Sequence, residues 1–494
     1  MNKHSTDAGA SPAFSGVGRE PLKRWWALYV LCSGVLMIVL DTTIVNVALP
    51  SIREDLQFTE TSLVWVVNAY MLTFGGFLLL GGRLGDLYGH RRLFLLGLIL
   101  FTAASIGCGV ATSQHMLISA RAIQGIGGAV VTAVALSLIM DLFTETGERA
   151  KAMGIYGFVC SAGGSVGVLL GGFLTTTLNW HWIFLVNVPI GLLVYLSCLR
   201  LLPHLPGTAS GTKLDVAGAL TVTTSLMLAV YAIVNGHEVG WRSMQTIGTL
   251  GGAVVLLVTF LIIEARVKAP LMPLGLFKLR NVATANIAAV LWAAAMFAWF
   301  FISALYLQLV LGYNAMQVGL SFLPANLIMA AFSLGLSAKI VMKFGWRKPL
   351  ALGLLCAAAG LALFARAPLD GNFWIDVFPG MTLLGIGAGI AFNPLLLGAM
   401  SDVSPADSGL ASGVVNTAFM MGGALGLAVL ASIAAGQTDF ELTSGVDARA
   451  ALNAGYGLAF MIGAICAAAA GIIGGAFMRT RTAAGQSEQA MAPH

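Results

Sequence analysis

Two charged residues stand where charge is costly. Asp41 lies within the apolar stretch 25–49 and Arg121 within the apolar stretch 116–140. An ionised side chain inside a lipid-spanning helix is expensive unless it is paired, protonated or hydrated, so such residues mark function. At a rise of about 1.5 Å per residue, Asp41 sits about 12 Å from Leu49 at the end of its stretch, and Arg121 about 7 to 8 Å into its own. With the two stretches running in opposite directions, the charges reach similar depths. Loss of water favours the protonated form of a carboxyl, whereas a nearby guanidinium favours the ionised form. A site that exchanges these influences between conformations can take up and release a proton. A static ion pair tying two helices together is the alternative, and the two roles are compatible. Asp141 and Glu264 fall at the ends of apolar stretches that the topology below places at the cytoplasm, and Asp376 at an external end, where water is expected to reach them.

A second constellation is Gly82-Arg83-Leu84-Gly85-Asp86-Leu87-Tyr88-Gly89-His90-Arg91-Arg92, expected in a cytoplasmic loop between spans 2 and 3. Its glycines permit a tight turn. Arg91 and Arg92 hold the loop inside, and Asp86 suits the N-terminus of a helix elsewhere in the chain, near Asp407-Ser408-Gly409. The competing reading is a solvated loop that only sets topology. A third feature is the stripe Trp292, Met296, Trp299, Ser303 and Tyr306, spaced 4, 3, 4 and 3 and so on one helical face. Aromatics and Met make an adaptable apolar wall that can hold cations over rings. Helix packing or an interfacial belt explains the same spacing. Asn68, Gln124, Asn187, Gln308 and Asn416 are unranked candidates for polar contacts.

The elements that must position these residues are membrane helices. Of 494 residues, 58% are hydrophobic and only 10% charged, against about a quarter charged in soluble proteins. A membrane helix needs about 20 apolar residues. Fourteen candidates lie near 25–49, 62–82, 93–111, 116–140, 152–176, 182–202, 215–235, 246–266, 283–309, 316–341, 349–366, 373–398, 408–435 and 452–478. Of 26 Lys and Arg, Arg53, Arg242, Arg366 and Arg449 fall in external loops and Arg121 within a span, which leaves 21 in segments assigned to the cytoplasm. That bias puts both termini inside.

The chain also echoes itself at an offset near 255 to 260 residues. Gly89-His90-Arg91-Arg92 recurs as Gly345-Trp346-Arg347-Lys348, and Gly125-Ile126-Gly127-Gly128 as Gly385-Ile386-Gly387-Ala388. Gly154, Gly167 and Gly171 recur as Gly409, Gly422 and Gly426, and Phe297 stands opposite Asp41. The expected organisation is a cytoplasmic tail over 1–24, a six-helix half over 25–202, an inserted helix pair with its loops over 203–282, a second six-helix half over 283–478 and a cytoplasmic tail over 479–494. Two such halves suggest alternating access to a substrate held between them.

Several classes are excluded. The basic residues sit in short loops, so the net charge of +5 does not point to nucleic acid. The six cysteines lie in apolar stretches without a Cys-x-x-Cys, and His90, His115, His181 and His237 are dispersed, so no metal or cofactor site is expected. The chain lacks even one Gly-Lys dipeptide, which excludes a phosphate-binding pump loop. No enzyme chemistry is expected.

The segment from Gly82 to Arg92 resembles the loop signature of the major facilitator superfamily. Leu117, Arg121 and Gln124-Gly125-Ile126-Gly127-Gly128 resemble its fourth-helix motif. Gly163, Gly167, Gly171 and Gly172 resemble the glycines of its fifth-helix antiporter motif, with Val168 where the family usually has proline. Leu40-Asp41-Thr42-Thr43-Ile44-Val45-Asn46-Val47-Ala48-Leu49-Pro50 resembles the span-1 signature of the fourteen-helix drug:proton antiporters of EmrB/QacA type. Trp180-His181-Trp182-Ile183-Phe184-Leu185-Val186-Asn187-Val188-Pro189 adds a match, with His181 where the family usually has arginine. The resemblance covers nearly the whole chain. It implies an all-α major facilitator fold in which spans 1 and 4 are neighbours. It implies proton-coupled export of amphipathic, often cationic compounds from the cell inner membrane, with membrane lipid around the chain and, in some systems, a periplasmic adaptor protein beyond it. A dedicated carrier of one metabolite, such as a host-made antibiotic or siderophore, fits the same motifs.

Overall fold

The computed structural model describes residues 21–143, 145–202, 214–267, 270–403 and 408–479. Within them every regular element is a helix and no strand occurs. The helices are α1 (Pro21–Leu56), α2 (Glu60–Tyr88), α3 (His90–Gly109), α4 (Gln114–Leu142), α5 (Thr146–Thr177), α6 (Trp182–Leu185), α7 (Asn187–Leu201), α8 (Val216–Val239) and α9 (Met244–Arg266). They continue with α10 (Arg280–Leu305), α11 (Ala315–Ala331), α12 (Ser337–Phe344), α13 (Arg347–Phe364), α14 (Phe378–Met400), α15 (Ser408–Thr443) and α16 (Ala448–Phe477). Backbone polar groups in lipid must be satisfied within the segment, which is why apolar runs of this length fold as helices. Their ends carry side-chain caps where loops are short: Thr59 and Ser62 form a capping box at α2, and Ser113, Ser243 and Asn314 cap α4, α9 and α11.

Among the described residues thirteen helices are long and apolar enough to cross a membrane, and Ala315–Ala331 is a shorter apolar fourteenth. The shortfall comes from the expected span 316–341, which is not one α-helix. It is α11, a π-helical stretch Phe332–Leu336 and α12, and Gly335 breaks it at φ +120°. Only glycine adopts such a φ without penalty.

In the N-terminal group α1 packs on α5, and α4 on both α2 and α3. In the C-terminal group α10 packs on α15, and α13 on α14 and α16. The two groups meet where α2 faces α15 and α5 faces α11. The pair α8–α9 packs together, and α8 touches both α2 and α15, so it leans on one helix of each group. Ser225 Oγ donates to the Ala253 carbonyl at 2.7 Å within the pair, and Ser432 Oγ of α15 donates to the Ile233 carbonyl of α8 at 3.3 Å. The duplicated turns are alike: Gly89 ends α2 at φ +91° and Gly345 ends α12 at φ +72°.

Candidate functional site

Five helices converge on one buried carboxylate. Asp41, midway along α1, is wholly buried, and Arg121 of α4 is 1% exposed. Arg121 Nη1 donates to Asp41 Oδ2 at 2.5 Å. Gln124, one turn along α4, donates from Nε2 to Asp41 Oδ1 at 2.7 Å, and Asn187, the first residue of α7, donates from Nδ2 to the same oxygen at 3.0 Å. The carboxylate therefore accepts from three side chains. The guanidinium is anchored independently: Nη1 also donates to Gln124 Oε1 at 2.7 Å, and Nε donates to the Val66 carbonyl of α2 at 2.9 Å. Its Cζ lies 4.5 Å from the Tyr70 ring centroid and 5.6 Å from that of Phe184. Ser105 of α3 closes the network by accepting from Gln124 Nε2 at 2.8 Å. Among the described residues the Tyr70 hydroxyl and Asn187 Oδ1 have no partner.

Such a cluster costs desolvation on forming and resists dismantling. Removing one partner of a buried ion pair strands the other, at about 3–5 kcal/mol. Besides Asp41, Arg121 keeps the Val66 carbonyl, Gln124 Oε1 and the Tyr70 face as contacts. Among the described residues no group of three or more His, Cys, Asp or Glu could hold a metal ion.

The glycines on α5 fix the helix that carries Asp41. A Cβ on Gly167 would come within 2.1 Å of Thr43 Oγ1, and one on Gly171 within 2.7 Å of the Ile44 carbonyl. Gly163 meets Val39 and Leu36 of the same helix. Gly172 faces away from α1, to the Ala315 carbonyl of α11 at 2.7 Å. Three glycines thus let α5 press on α1 along the turns that bracket Asp41, and the fourth seats α5 against the other group.

The segment from Gly82 to Tyr88 is not a loop. It forms the last turns of α2, and Gly89 alone makes the turn. Its leucines continue the packing face, since Leu84 lies against the small apolar cluster of Leu80, Ala219 and Leu271. Asp86 contacts His90, with Oδ1 and Nε2 3.2 Å apart, and His90 Nδ1 lies 3.0 Å from Asp141 Oδ2. Arg91 donates to the Leu199 carbonyl at 2.9 Å, and Arg92 is exposed. Of the expected docking residues for Asp86, Asp407 lies outside the described residues.

The aromatic stripe is packed rather than open. Trp292, Trp299 and Tyr306 are buried and Met296 is half-buried. The Trp299 ring centroid lies 4.4 Å from that of Phe300 and 6.0 Å from that of Phe322, and the Tyr306 hydroxyl donates to the Pro368 carbonyl at 3.0 Å. Helical spacing identified the face but not what covers it. The remaining amides disperse. Asn68 Nδ2 donates to the Ala424 carbonyl at 2.9 Å and Gln308 Nε2 to the Val47 carbonyl at 3.0 Å, so both bridge the two groups of helices. Asn416 Nδ2 donates to the Ser412 carbonyl of its own helix at 3.1 Å. Glu264, expected to meet water, is instead only 3% exposed, because its Oε2 accepts from the Met272 amide at 3.2 Å as the following segment folds back over it. Ser105 and Tyr70 had no distinguishing signal in the sequence, being single polar groups in apolar helices.

A family model described as Major Facilitator Superfamily matches residues 31–427. The chain is 40% identical over 436 residues to the puromycin resistance protein pur8 of Streptomyces alboniger, which covers 87% of this chain and 86% of that protein. It is 39% identical over 438 residues to the cephamycin export protein CmcT of Amycolatopsis lactamdurans, 88% of each. It is 35% identical over 404 residues to the multidrug resistance protein Stp of Mycobacterium tuberculosis, 81% of this chain and 74% of that protein.

Proposed function

Since the chain belongs to the major facilitator superfamily of multi-pass membrane transporters, we propose that it is a proton-coupled antiporter that exports amphipathic, often cationic drugs or toxic compounds across the cell inner membrane. The observation that carries this reading is the enclosed carboxylate of Asp41, met by Arg121, Gln124 and Asn187 inside the N-terminal group of helices. A proton entering there neutralises the only acid of that network and weakens the hold of α4 and α7 on α1. Solute and proton then compete for one conformational cycle, as antiport requires. The relatives' names, resistance to one antibiotic, export of another and multidrug resistance, agree with outward movement of small organic molecules. The two names that each specify one antibiotic also favour a second reading, a dedicated exporter of one metabolite by the same mechanism.

The test is substrate-induced proton release from the purified protein, with transport in proteoliposomes under an imposed pH gradient. Asp41→Asn keeps the shape of the side chain, so the variant is expected to fold and to reach the membrane, to release no protons and to lose gradient-driven transport. Proton release equal to wild type places coupling elsewhere. The proposal sets both termini in the cytoplasm. Reporter fusions at Gly236 and Gly345 are then expected to read outside and inside, and one side for both rejects that orientation.

A further inference from the structure

The two amides that donate to Asp41 Oδ1 are held very differently. Gln124 is tied at both ends. Its Nε2 donates to Asp41 Oδ1 at 2.7 Å and to Ser105 Oγ at 2.8 Å, and its Oε1 accepts from Arg121 Nη1 at 2.7 Å. Asn187 is tied at one end. Its Nδ2 donates to Asp41 Oδ1 at 3.0 Å and lies 3.5 Å from Ser105 Oγ, longer than an ordinary hydrogen bond. Its Oδ1 is enclosed and, among the described residues, has no partner. The residue is 1% exposed, so bulk water does not reach that oxygen.

A buried acceptor without a donor is costly, but this one matches what a protonated carboxyl lacks. Ionised Asp41 only accepts; once protonated it also carries an O–H donor. A proton on Oδ1 meets two N–H donors and no acceptor, and one on Oδ2 meets the guanidinium. Turning the Asn187 amide end for end puts its Oδ1 where Nδ2 stands. The two ends of a primary amide are close in size, so the exchange takes no new space. It gives up the bond to the carboxylate and the long Ser105 contact, gains a bond from the carboxyl O–H, and leaves one amide atom unpartnered before and after. The same turn in Gln124 breaks its bonds to both Arg121 and Ser105. The Tyr70 hydroxyl, also unpartnered, lies against Gly128 of α4, where a Cβ would come within 2.8 Å of it, one turn beyond Gln124.

We propose that Asn187 is a positioning residue that follows the proton on Asp41, donating from Nδ2 to the carboxylate and, turned over, accepting at Oδ1 from the protonated carboxyl. The inference rests on the coupling reading above and names the residue that satisfies both protonation states of the buried acid. The other charged or titratable groups that face Asp41 are Arg121 of α4, Tyr70 of α2 and Cys108 of α3. Helices α6 and α11 contain none, those of α5 lie at or before Cys160, those of α7 at or after Tyr195, and that of α10 is Arg280 at its first residue. The π-helical stretch Tyr306–Val310 carries Tyr306, whose hydroxyl is given to the Pro368 carbonyl. The exchange replaces a bond to an ionised group by one between neutral groups, the weaker kind. Helix α7 thus stays attached to α1, but less firmly.

The test is infrared difference spectroscopy of the purified full chain in nanodiscs between high and low pH. The protein carries carbon-13 at the side-chain carbonyl of asparagine in one sample and of glutamine in another. The band of the protonated carboxyl is assigned to Asp41 by its loss in unlabelled Asp41→Asn. As Asp41 gains its proton, an asparagine carbonyl band is expected to shift to lower frequency, as a carbonyl does on gaining a hydrogen bond, while no glutamine band makes that shift. Asn187→Leu, similar in size, is expected to abolish the asparagine shift and to move the Asp41 carboxyl band to higher frequency, because its O–H then lacks an acceptor. A role confined to packing leaves that band in place. The labelled wild type needs no substitution at 187, so it decides the matter even if Asn187→Leu does not fold. An asparagine band that stays still while Asp41 is protonated, or that shifts equally in Asn187→Leu, overturns the role of Asn187 and leaves the coupling reading standing. A carboxyl band that survives Asp41→Asn, or the lack of any such band, overturns the coupling reading and this inference with it.

Discussion

At the internal offset, Asp41 corresponds to Phe297, Arg121 to Met381 and Gln124 to Leu384. In the N-terminal group those positions form a hydrogen-bonded ion pair with no access to solvent. In the C-terminal group Met381 and Leu384 are fully buried in apolar packing, and the Phe297 ring lies 5.8 Å from that of Phe419. The backbone contacts around them are nevertheless alike. Gly167 and Gly171 bring α5 onto α1, and their counterparts Gly422 and Gly426 bring α15 onto α10, against Val290 and Ala294. Asp86, with its partner His90, corresponds to Met342, which is 79% exposed. The duplicated scaffold keeps its helix spacing, while at these three positions, 41, 86 and 121, the charged residue stands in the N-terminal copy and an apolar one in the other. Close packing serves both groups, whereas the proposed coupling needs one proton site.

That contrast can be broken most sharply at Arg121. Arg121→Met installs the C-terminal residue and strands a buried carboxylate, with an expected loss of about 3–5 kcal/mol in denaturant unfolding of the detergent-solubilised protein. Adding Asp41→Phe and Gln124→Leu completes the transplant and should restore most of that stability, since apolar replacement of a whole buried pair is often neutral or better, while transport stays absent. A neutral single variant means that the pair contributes no more than its apolar counterpart. Gln124→Leu alone removes one donor to Asp41 and an acceptor from Arg121, and should cost about 1–3 kcal/mol in the same assay; a cost within error would assign the network to Arg121 alone. The smallest stability effect is expected at Asp86→Ala, at about 1 kcal/mol or less for a half-exposed pair. Its transport rate, measured at equal expression, should fall. A wild-type rate would leave the His90–Asp86 contact without a role in the cycle.

Much of this was legible in the residues and some was not. Asp41 and Arg121 announced themselves because a charge in an apolar run has few inexpensive explanations, and their similar depths followed from helical rise alone. Asn187 was one amide among several, and nothing in one dimension ranked it above Asn416, which bonds only to its own helix. The break at Gly335 was hidden among 60 glycines, most of which serve close packing rather than turns. The end of α2 was misplaced because glycine and charge read as a loop, although the leucines between them keep a helical face. The buried state of Glu264 depends on a segment folding back, a tertiary event with no local pattern.

Arg121 keeps three holds that do not involve Asp41: the Val66 carbonyl, Gln124 Oε1 and the face of Tyr70. A lock whose bolt stays seated when the key turns releases only the other leaf of the door. In the proposed coupling, a neutral Asp41 leaves those three holds of α4 in place, while α1 loses its charged tie to it. The freed leaf is α1, and six residues beyond Asp41 its Val47 carbonyl receives Gln308 of the π-helical stretch Tyr306–Val310 that follows α10. The proposed proton would thus be felt, about 9 Å along the same helix, at a contact with the other group.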